Sequence, residues 1–291
     1  MRICAIDVGT NTVNTLVAEV GGGRLTVLAD EERFARLGQG VDGAGRLAPE
    51  AMDRVARCLA ESRALAEAHG AERTVIGATS ASRDAANVGA LQARVRRELG
   101  LDYRVVSGET EARLSFAGAL AMLPGTPRAV VFDIGGGSTE IVAGASGAAP
   151  EVAVSLDIGT VRLTERHGAV PPVAPRPLAA LRADVAAALA RVPPEAWAEG
   201  PLVGTGSTAK VVAHLAGEVP VPLARVRRSR ERLAAMTPEA ITALAPGLMR
   251  GRADVAVAAL CIVEGVMRAS GADSFTATRG GLRHGLALEA A

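Results

Sequence analysis

Two stretches decide the reading of this 291-residue chain: Ile6-Asp7-Val8-Gly9-Thr10-Asn11-Thr12 and Phe132-Asp133-Ile134-Gly135-Gly136-Gly137-Ser138-Thr139. Their aspartates stand 126 residues apart. In each, an apolar run reaches an acid, turns through glycine and continues into a second apolar run, which predicts two strands joined by a tight turn. Glycine lets successive backbone N–H groups face inward, making a concave anion site that side chains would otherwise block. Gly9, Thr10, Asn11, Gly135, Gly136, Gly137, Ser138 and Thr139 are therefore candidate phosphate-binding residues. The acid at the strand end suits a hydrated divalent cation. Magnesium keeps several waters and takes one or two carboxylates plus phosphate oxygens, so Asp7 and Asp133 are candidate metal ligands. A third match, Asp157-Ile158-Gly159-Thr160, leads into the helical run Val161 to His167 and is read as a helix entry. Two hairpins about one domain length apart imply a duplicated α/β domain with a nucleotide or phosphate cleft between the halves.

Working outward, Ile3 to Val8, Val13 to Val20 and Leu25 to Leu28 read as three strands, the second pair a hairpin around Gly21 to Gly23. Pro49 to His69 has helical spacing with an early proline and a closing Gly70. Thr74 to Ala78 reads as a buried strand, Asn87 to Leu99 as a helix, Tyr103 to Val106 as a strand and Glu109 to Met122 as a helix. Pro124-Gly125 with Pro127 punctuates the chain, and the strand pattern restarts at Ala129 to Ile134, Glu140 to Ala143 and Glu151 to Leu156. Residues 1–124 and 125–291 are accordingly the expected domains. Pro171 to Pro177 is expected to be a loop before a helix from Leu178 to Val192. Leu202 to Gly204 reads as a short strand entering a helix over Ala209 to Ala216. Residues 218–236 are arginine-rich and weakly patterned, and two apolar helices are expected around Gly280-Gly281.

Composition narrows the function. A net charge of +1 offers no global attraction for nucleic acid or an anionic membrane, so an anionic partner must be held locally. The apolar run Val255 to Met267 is interrupted by Glu264 and is too short to span a bilayer, so it is read as a buried helix. The N-terminus lacks the layout of a secretory signal, and the expected location is cytoplasmic. Cys4, Cys58 and Cys261 have neither C-x-x-C nor His spacing and read as small buried hydrophobes. The single lysine, Lys210, stands in no G-x-x-x-x-G-K-[ST] context, which excludes a P-loop NTPase and leaves phosphate contacts to arginine. Trp197 and Tyr103 fall outside the motifs, so no base-stacking platform is apparent.

The paired hairpins resemble those of the acetate and sugar kinase, heat-shock chaperone and actin superfamily. Gly77-Ala78-Thr79-Ser80-Ala81-Ser82-Arg83-Asp84-Ala85-Ala86-Asn87 and Ser107-Gly108-Glu109-Thr110-Glu111-Ala112-Arg113 are similar to signatures of the exopolyphosphatase and guanosine pentaphosphate phosphohydrolase family. So are Leu156 to Leu163, Gly204-Thr205-Gly206-Ser207-Thr208 and Gly251-Arg252-Ala253-Asp254. Together they run in the family's order from residue 6 to 285. The resemblance implies two actin-like, ribonuclease H-like domains of mixed sheets flanked by helices, with a C-terminal helix of about 281–291 packing back on the first.

The resemblance also implies roles. Glu111 becomes the catalytic carboxylate that orients water, because the family motif sets the acid directly before Ala112, while the helical offset turns Glu109 to another face. Arg83 becomes a phosphate clamp, against the plainer reading of an ion pair with Asp84 or another acid. Glu140 matches a position near the metal, against that of an outward strand residue. Gly204, Thr205, Gly206 and Ser207 resemble an adenosine-side loop that in a polyphosphatase only packs. Arg36, Arg113 and Arg162 are candidates for a polyanion path. Arg225, Arg227, Arg228, Arg230 and Arg232 form either a solvated face or an anion-binding rim. Thr278-Arg279-Gly280-Gly281-Leu282-Arg283-His284-Gly285 departs from the family's S-D-G-G-L-R-E-G-like turn by replacing two acids with Arg279 and His284.

The expected activity is Mg2+- or Mn2+-dependent release of orthophosphate from inorganic polyphosphate. Hydrolysis of guanosine pentaphosphate, pppGpp, to ppGpp uses the same chemistry and remains open. From other classes, an ATP-dependent small-molecule kinase and a non-catalytic nucleotide-binding module are the alternatives. A homodimer stands as a further open alternative.

Overall fold

Ile3, Cys4, Ala5 and Ile6 are all fully buried, so the first strand, β1 (Arg2–Val8), has no solvated face. The computed structural model, which describes every residue except Gly23, Ala198 and Glu199, shows why. Side chains alternate across a strand. Cys4, Ile6 and Val8 pack into one cluster with Val55, Leu59 and Leu91, whereas Ile3 and Ala5 pack on the opposite face with Leu114, Leu282, Leu286 and Ala287.

The chain divides into two compact units, Met1–Pro124 with Gly280–Ala291, and Gly125–Arg279. The first contains β1, β2 (Thr12–Gly21), β3 (Arg24–Phe34), β4 (Arg73–Ala78) and β5 (Tyr103–Val105), in the sheet order β3-β2-β1-β4-β5. β1 runs antiparallel to β2 and parallel to β4, which is parallel to β5. Its helices are α1 (Val41–Ala44), α2 (Pro49–Ala68), α3 (Ser80–Asp84), α4 (Val88–Leu99) and α5 (Gly108–Ala121). The last helix of the chain, α13 (Leu282–Glu289), rejoins this unit and covers the second face of β1.

In the second unit the strands are β6 (Arg128–Ile134), β7 (Thr139–Ala145), β8 (Val152–Leu156), β9 (Leu202–Thr205), β10 (Val221–Pro222) and β11 (Ser274–Ala277). Their order, β8-β7-β6-β9-β11-β10, repeats that of the first sheet and adds β10 at one edge. The helices are α6 (Thr160–His167), α7 (Pro175–Leu189), α8 (Gly206–Ala216), α9 (Leu223–Ala234), α10 (Pro238–Leu244), α11 (Pro246–Met249) and α12 (Ala256–Ser270).

Four expectations need correction. Strand β3 continues to Phe34, because its pairing with β2 runs from Arg24 opposite Gly21 to Phe34 opposite Thr12. Its polar run was invisible to an apolar pattern. The proline segment is only partly a loop. Pro175 opens α7, since proline is preorganised for the first helical turn, where no intrahelical N–H bond is lost. Residues 218–236 hold β10 and the regular helix α9, which buries Val226, Leu233 and Arg230. The strand β11 lies between the last two helices, parallel to β9. The expected turn at Gly21 to Gly23 has its third glycine outside the described residues.

Arg230 points inward because Glu264 of α12, itself 2% exposed, receives it at 2.7 Å. Burial alone would raise the Glu264 carboxyl, but the hydrogen bonds and charges of Arg230 and Arg268 outweigh it and hold the carboxyl below its ordinary value of 4.5. A depressed folded-state value means that the contribution is present above the unfolded value and is lost as pH falls through the folded one. Thermal melts should therefore show the wild type losing stability below pH 4.5 more steeply than Glu264→Gln, which has no carboxyl to protonate there. Parallel acid profiles would refute this assignment.

Candidate active site

β1, β4 and β5 are parallel neighbours, so their C-terminal ends share one edge of the first sheet, where open α/β sheets bind ligands. Asp7 lies at the end of β1, directly across from Asn14 of β2, whose Nδ2 donates to Asp7 Oδ2 at 3.1 Å. The turn that follows is closed by Gly9 N donating to Thr12 O at 2.9 Å. Thr79 N donates to Val8 O and Val106 N to Ala78 O, which draws the segments after β4 and β5 beside this turn.

Arg83, at the end of α3, donates from Nη1 to Glu111 Oε2 at 2.6 Å and to Val106 O at 3.2 Å. Glu111 sits in the first turn of α5, whose N-cap Ser107 accepts from Thr110 N at 3.1 Å. Glu111 is 7% exposed, whereas Glu109 faces solvent. In this state Arg83 therefore pairs with the expected catalytic carboxylate rather than with Asp84.

The second unit repeats the hairpin. Asp133 faces Glu140 across β6 and β7, as Asp7 faces Asn14, and Gly135 N donates to Ser138 O at 2.9 Å. Glu140 is not an outward strand residue. It is 1% exposed and accepts from Ser155 Oγ at 2.8 Å. Thr139 Oγ1 donates to Ile158 O at 2.6 Å, so its hydroxyl braces the sheet in this state.

A common device orients both loops. In the second, Thr160 N donates to Gly135 O, Val161 N and Arg162 N donate to Gly136 O, and Arg162 Nε donates to Gly137 O. Across a planar trans peptide the N–H points opposite to the C=O. The N–H groups of Gly136, Gly137 and Ser138 are thus turned away from α6. In the first loop, Gly38 N donates to Thr10 O, and Ala35 N and Arg36 N donate to Asn11 O, which turns the N–H groups of Asn11 and Thr12 away from residues 35–38. Each loop thus turns successive N–H groups to the side away from these ties, and rows of donors of this kind bind anions.

The segment Asp157 to Arg162 is a helix entry, yet it serves the site. Sequence pattern alone did not reveal that Gly159 and the start of α6 buttress the second loop. A Cβ on Gly159 would lie 2.4 Å from the Gly136 and Gly137 backbone. Arg162 anchors the second loop in this state, the backbone N–H of Arg36 ties the first at Asn11 O, and Arg113 is exposed. Tyr103 was also overlooked. Its hydroxyl lies 2.8 Å from Ser82 Oγ in the turn leading to Arg83, and burial, with the Asp7 charge adding to it, pushes the phenol up.

Gly204, Thr205, Gly206 and Ser207 join β9 to α8 beside Asp133, which pairs with Thr205 in register. Gly206 has φ of 75°, and a Cβ there would stand 2.5 Å from Asp133 Oδ1. Gly206→Ala should therefore cost roughly 1–2 kcal/mol from backbone strain alone and also push the aspartate out of place. The expected result is a lowered melting temperature together with reduced phosphate release. A variant with unchanged turnover would show that Asp133 needs no fixed position.

Arg279 is exposed, while His284 is 1% exposed and packs beside Gly118 of α5. Arg283 donates to Asp30 Oδ2 at 2.9 Å. Among the described residues no helix is long and apolar enough to cross a membrane.

Two α/β units of matching sheet order, each with an acid and a glycine loop at the end of its first strand, define a phosphate-handling protein of the actin-like fold. The model of the Ppx/GppA phosphatase family matches residues 16–291, and the chain belongs to that family. Exopolyphosphatase 2 of Mycobacterium tuberculosis is 38% identical over 100% of this chain and 98% of its own length. Exopolyphosphatase 1 of Mycobacterium bovis is 32% identical over 99% and 88%. Among solved structures, an exopolyphosphatase from Cytophaga hutchinsonii superposes with a TM-score of 0.89 at 28% identity, covering 100% of this chain and 97% of that one. The Aquifex aeolicus PPX-GPPA enzyme does so at 0.79 and 26%, covering 99% of both.

Proposed function

We propose that this protein is a cytoplasmic exopolyphosphatase that removes the terminal phosphate of inorganic polyphosphate. The observation that carries this reading is the pair of glycine loops whose N–H groups are turned outward by carbonyl ties on their opposite sides. A polyanion of repeated phosphates suits repeated donor rows. Full-length likeness to proteins named exopolyphosphatase supports polyphosphate as the substrate.

Asp7 and Asp133 offer hard oxygen donors at strand ends, and among the described residues no three His, Cys, Asp or Glu side chains gather. Such a donor set fits an ion that keeps its waters and takes substrate oxygens, as Mg2+ does and Mn2+ can in its place, better than a zinc-type cage. When bound, the ion neutralises charge developing on the transferred phosphoryl group. Asp7 and Asp133 are the residues that would hold it, and Glu140 would back Asp133 from across the strand pair. The loop N–H groups, with Thr10, Asn11 and Ser138, bind phosphate oxygens, while Thr139, whose hydroxyl donates to Ile158 O, braces the second loop instead of serving as the expected phosphate donor. Arg83 holds the Glu111 carboxylate in one orientation and presents its other N–H groups to phosphate. Glu111 accepts a hydrogen bond from water and aligns it with the breaking P–O bond. In a loose transition state such positioning and charge stabilisation supply most of the catalysis.

The test is phosphate release with Mg2+ from long-chain polyphosphate, pppGpp and ATP in parallel. The expected result is a kcat/KM for polyphosphate about tenfold or more above the others. A preference for pppGpp would replace the substrate, and binding without turnover would remove the hydrolase reading.

A further inference from the structure

Within the second unit, α7 and α12 border a cavity of about 790 Å3, inside the range of roughly 300–1,000 Å3 typical of small-molecule sites. Val185, Leu189 and Trp197 give it apolar walls, and Arg182, Glu264 and Arg268 lie along its border. Cys261 is a wall residue too, and burial pushes its thiol up to about 12, so it acts there as a neutral apolar group.

Among the described residues the charges at the border do not balance. Four guanidinium groups converge on the single carboxylate of Glu264: Arg230 at 2.7 Å, Arg268 at 2.9 Å, Arg227 at 3.7 Å and Arg182 at 3.9 Å. Among the described residues, Glu231, 3.3 Å from Arg230, is the other acid in contact with this group. Arg182, Arg227 and Arg268 are each about half exposed, so positive charge remains available beside an apolar pocket. A neutral apolar ligand would leave those guanidinium groups crowded, and a bare anion would leave the walls uncovered. A ligand with one acidic head and an apolar tail satisfies both, since charge-assisted hydrogen bonds from arginine favour a planar carboxylate.

We propose that this cavity binds an anionic amphiphile, a carboxylate carried on an apolar tail, with Arg182 and Arg268 at the head and the Val185, Leu189 and Trp197 walls around the tail. The site is separate in sequence from the two phosphate loops, so it can bind whether or not the polyphosphatase reading holds.

Trp197 is the only tryptophan of the chain and reports on the cavity directly. Decanoate, added to the full-length protein, should change its fluorescence saturably. Decanol, which has the tail without the charge, should bind about tenfold or more weakly, as should decanoate to Arg182→Gln and Arg268→Gln. Ala186→Leu, at an exposed position that lines the cavity, should block the tail without altering the circular dichroism spectrum. Equal binding of decanol, unchanged binding in all three variants, or no saturable signal in fluorescence and calorimetry would overturn the proposal. So would displacement of decanoate by polyphosphate at matched charge, which would mark a plain polyanion rim. A solution dimer that Ala186→Leu converts to monomer would give the cavity to a second copy instead.

Discussion

Glu111→Gln is expected to lower kcat for phosphate release from polyphosphate by roughly 10²–10⁴-fold, the usual contribution of a positioned acid–base group. Glutamine keeps the shape and an oxygen that can accept from Arg83, but it removes the charge that aligns water in the proposed mechanism. Because Glu111 pairs with Arg83 at 2.6 Å, the variant also weakens one charge-assisted hydrogen bond, worth on the order of 1–3 kcal/mol of stability. A structural effect and a catalytic one separate in two readouts. Melting temperature should fall by only a few degrees while kcat collapses, and KM should change far less than kcat. A variant that melts lower yet keeps its kcat would reduce Glu111 to a brace for Arg83. Single-turnover measurement of phosphate release, with enzyme in saturating excess over substrate, makes the distinction directly.

The largest loss of stability is expected where α13 crosses α5. A Cβ on Gly118 would lie 2.1 Å from Gly281 O and 2.7 Å from Gly285 N, and one on Gly285 would lie 2.0 Å from Leu114 O. These obstacles are backbone, so no rotamer change relieves them and the helices must separate. Overpacking ordinarily costs about 1–3 kcal/mol. Gly118→Ala should fall at or above the top of that range, because the gain in helix propensity, about 1 kcal/mol, is smaller than the clash. Gly118→Val should cost more. The melting temperature of the first unit should drop on the order of 10 °C. Gly89→Ala, in α4 with nothing near its added methyl, is the internal control and should be neutral or slightly stabilising. A shift of α5 would also carry Glu111 with it, so Gly118→Ala should lose activity below its melting temperature. Equal effects of Gly118→Ala and Gly89→Ala would remove the close helix crossing as a source of stability.

Much of the architecture was legible because its signals are local. The spacing of Asp7 and Asp133, the glycine turns after them and the alternation of the flanking strands depend on residues adjacent in the chain. They led to a repeated α/β pattern, the phosphate-loop candidates and the strand-end acids. Helices such as Pro49–Ala68 and Val88–Leu99 announced themselves by apolar spacing closed by a histidine–glycine or glycine stop. The polar continuation of β3 to Phe34 did not, because an edge strand needs no apolar alternation when one neighbour supplies its hydrogen bonds.

What depended on distant residues could not be read that way. Arg83 and Glu111 are 28 residues apart and meet only because β4 and β5 end on the same edge. The start of α6, read as an ordinary helix entry, ties the carbonyls of a loop some 25 residues earlier and so aims its N–H groups. Arg230 looked like one of five surface arginines until Glu264, 34 residues on, drew it inward. By itself, then, the sequence determined which segments turn, extend or coil and which residues are candidates for phosphate and metal chemistry, since those follow from local backbone freedom and side-chain type. Only the tertiary structure decided which charges are neighbours, which carbonyls are occupied and which glycines sit where two backbones touch, because those follow from long-range packing.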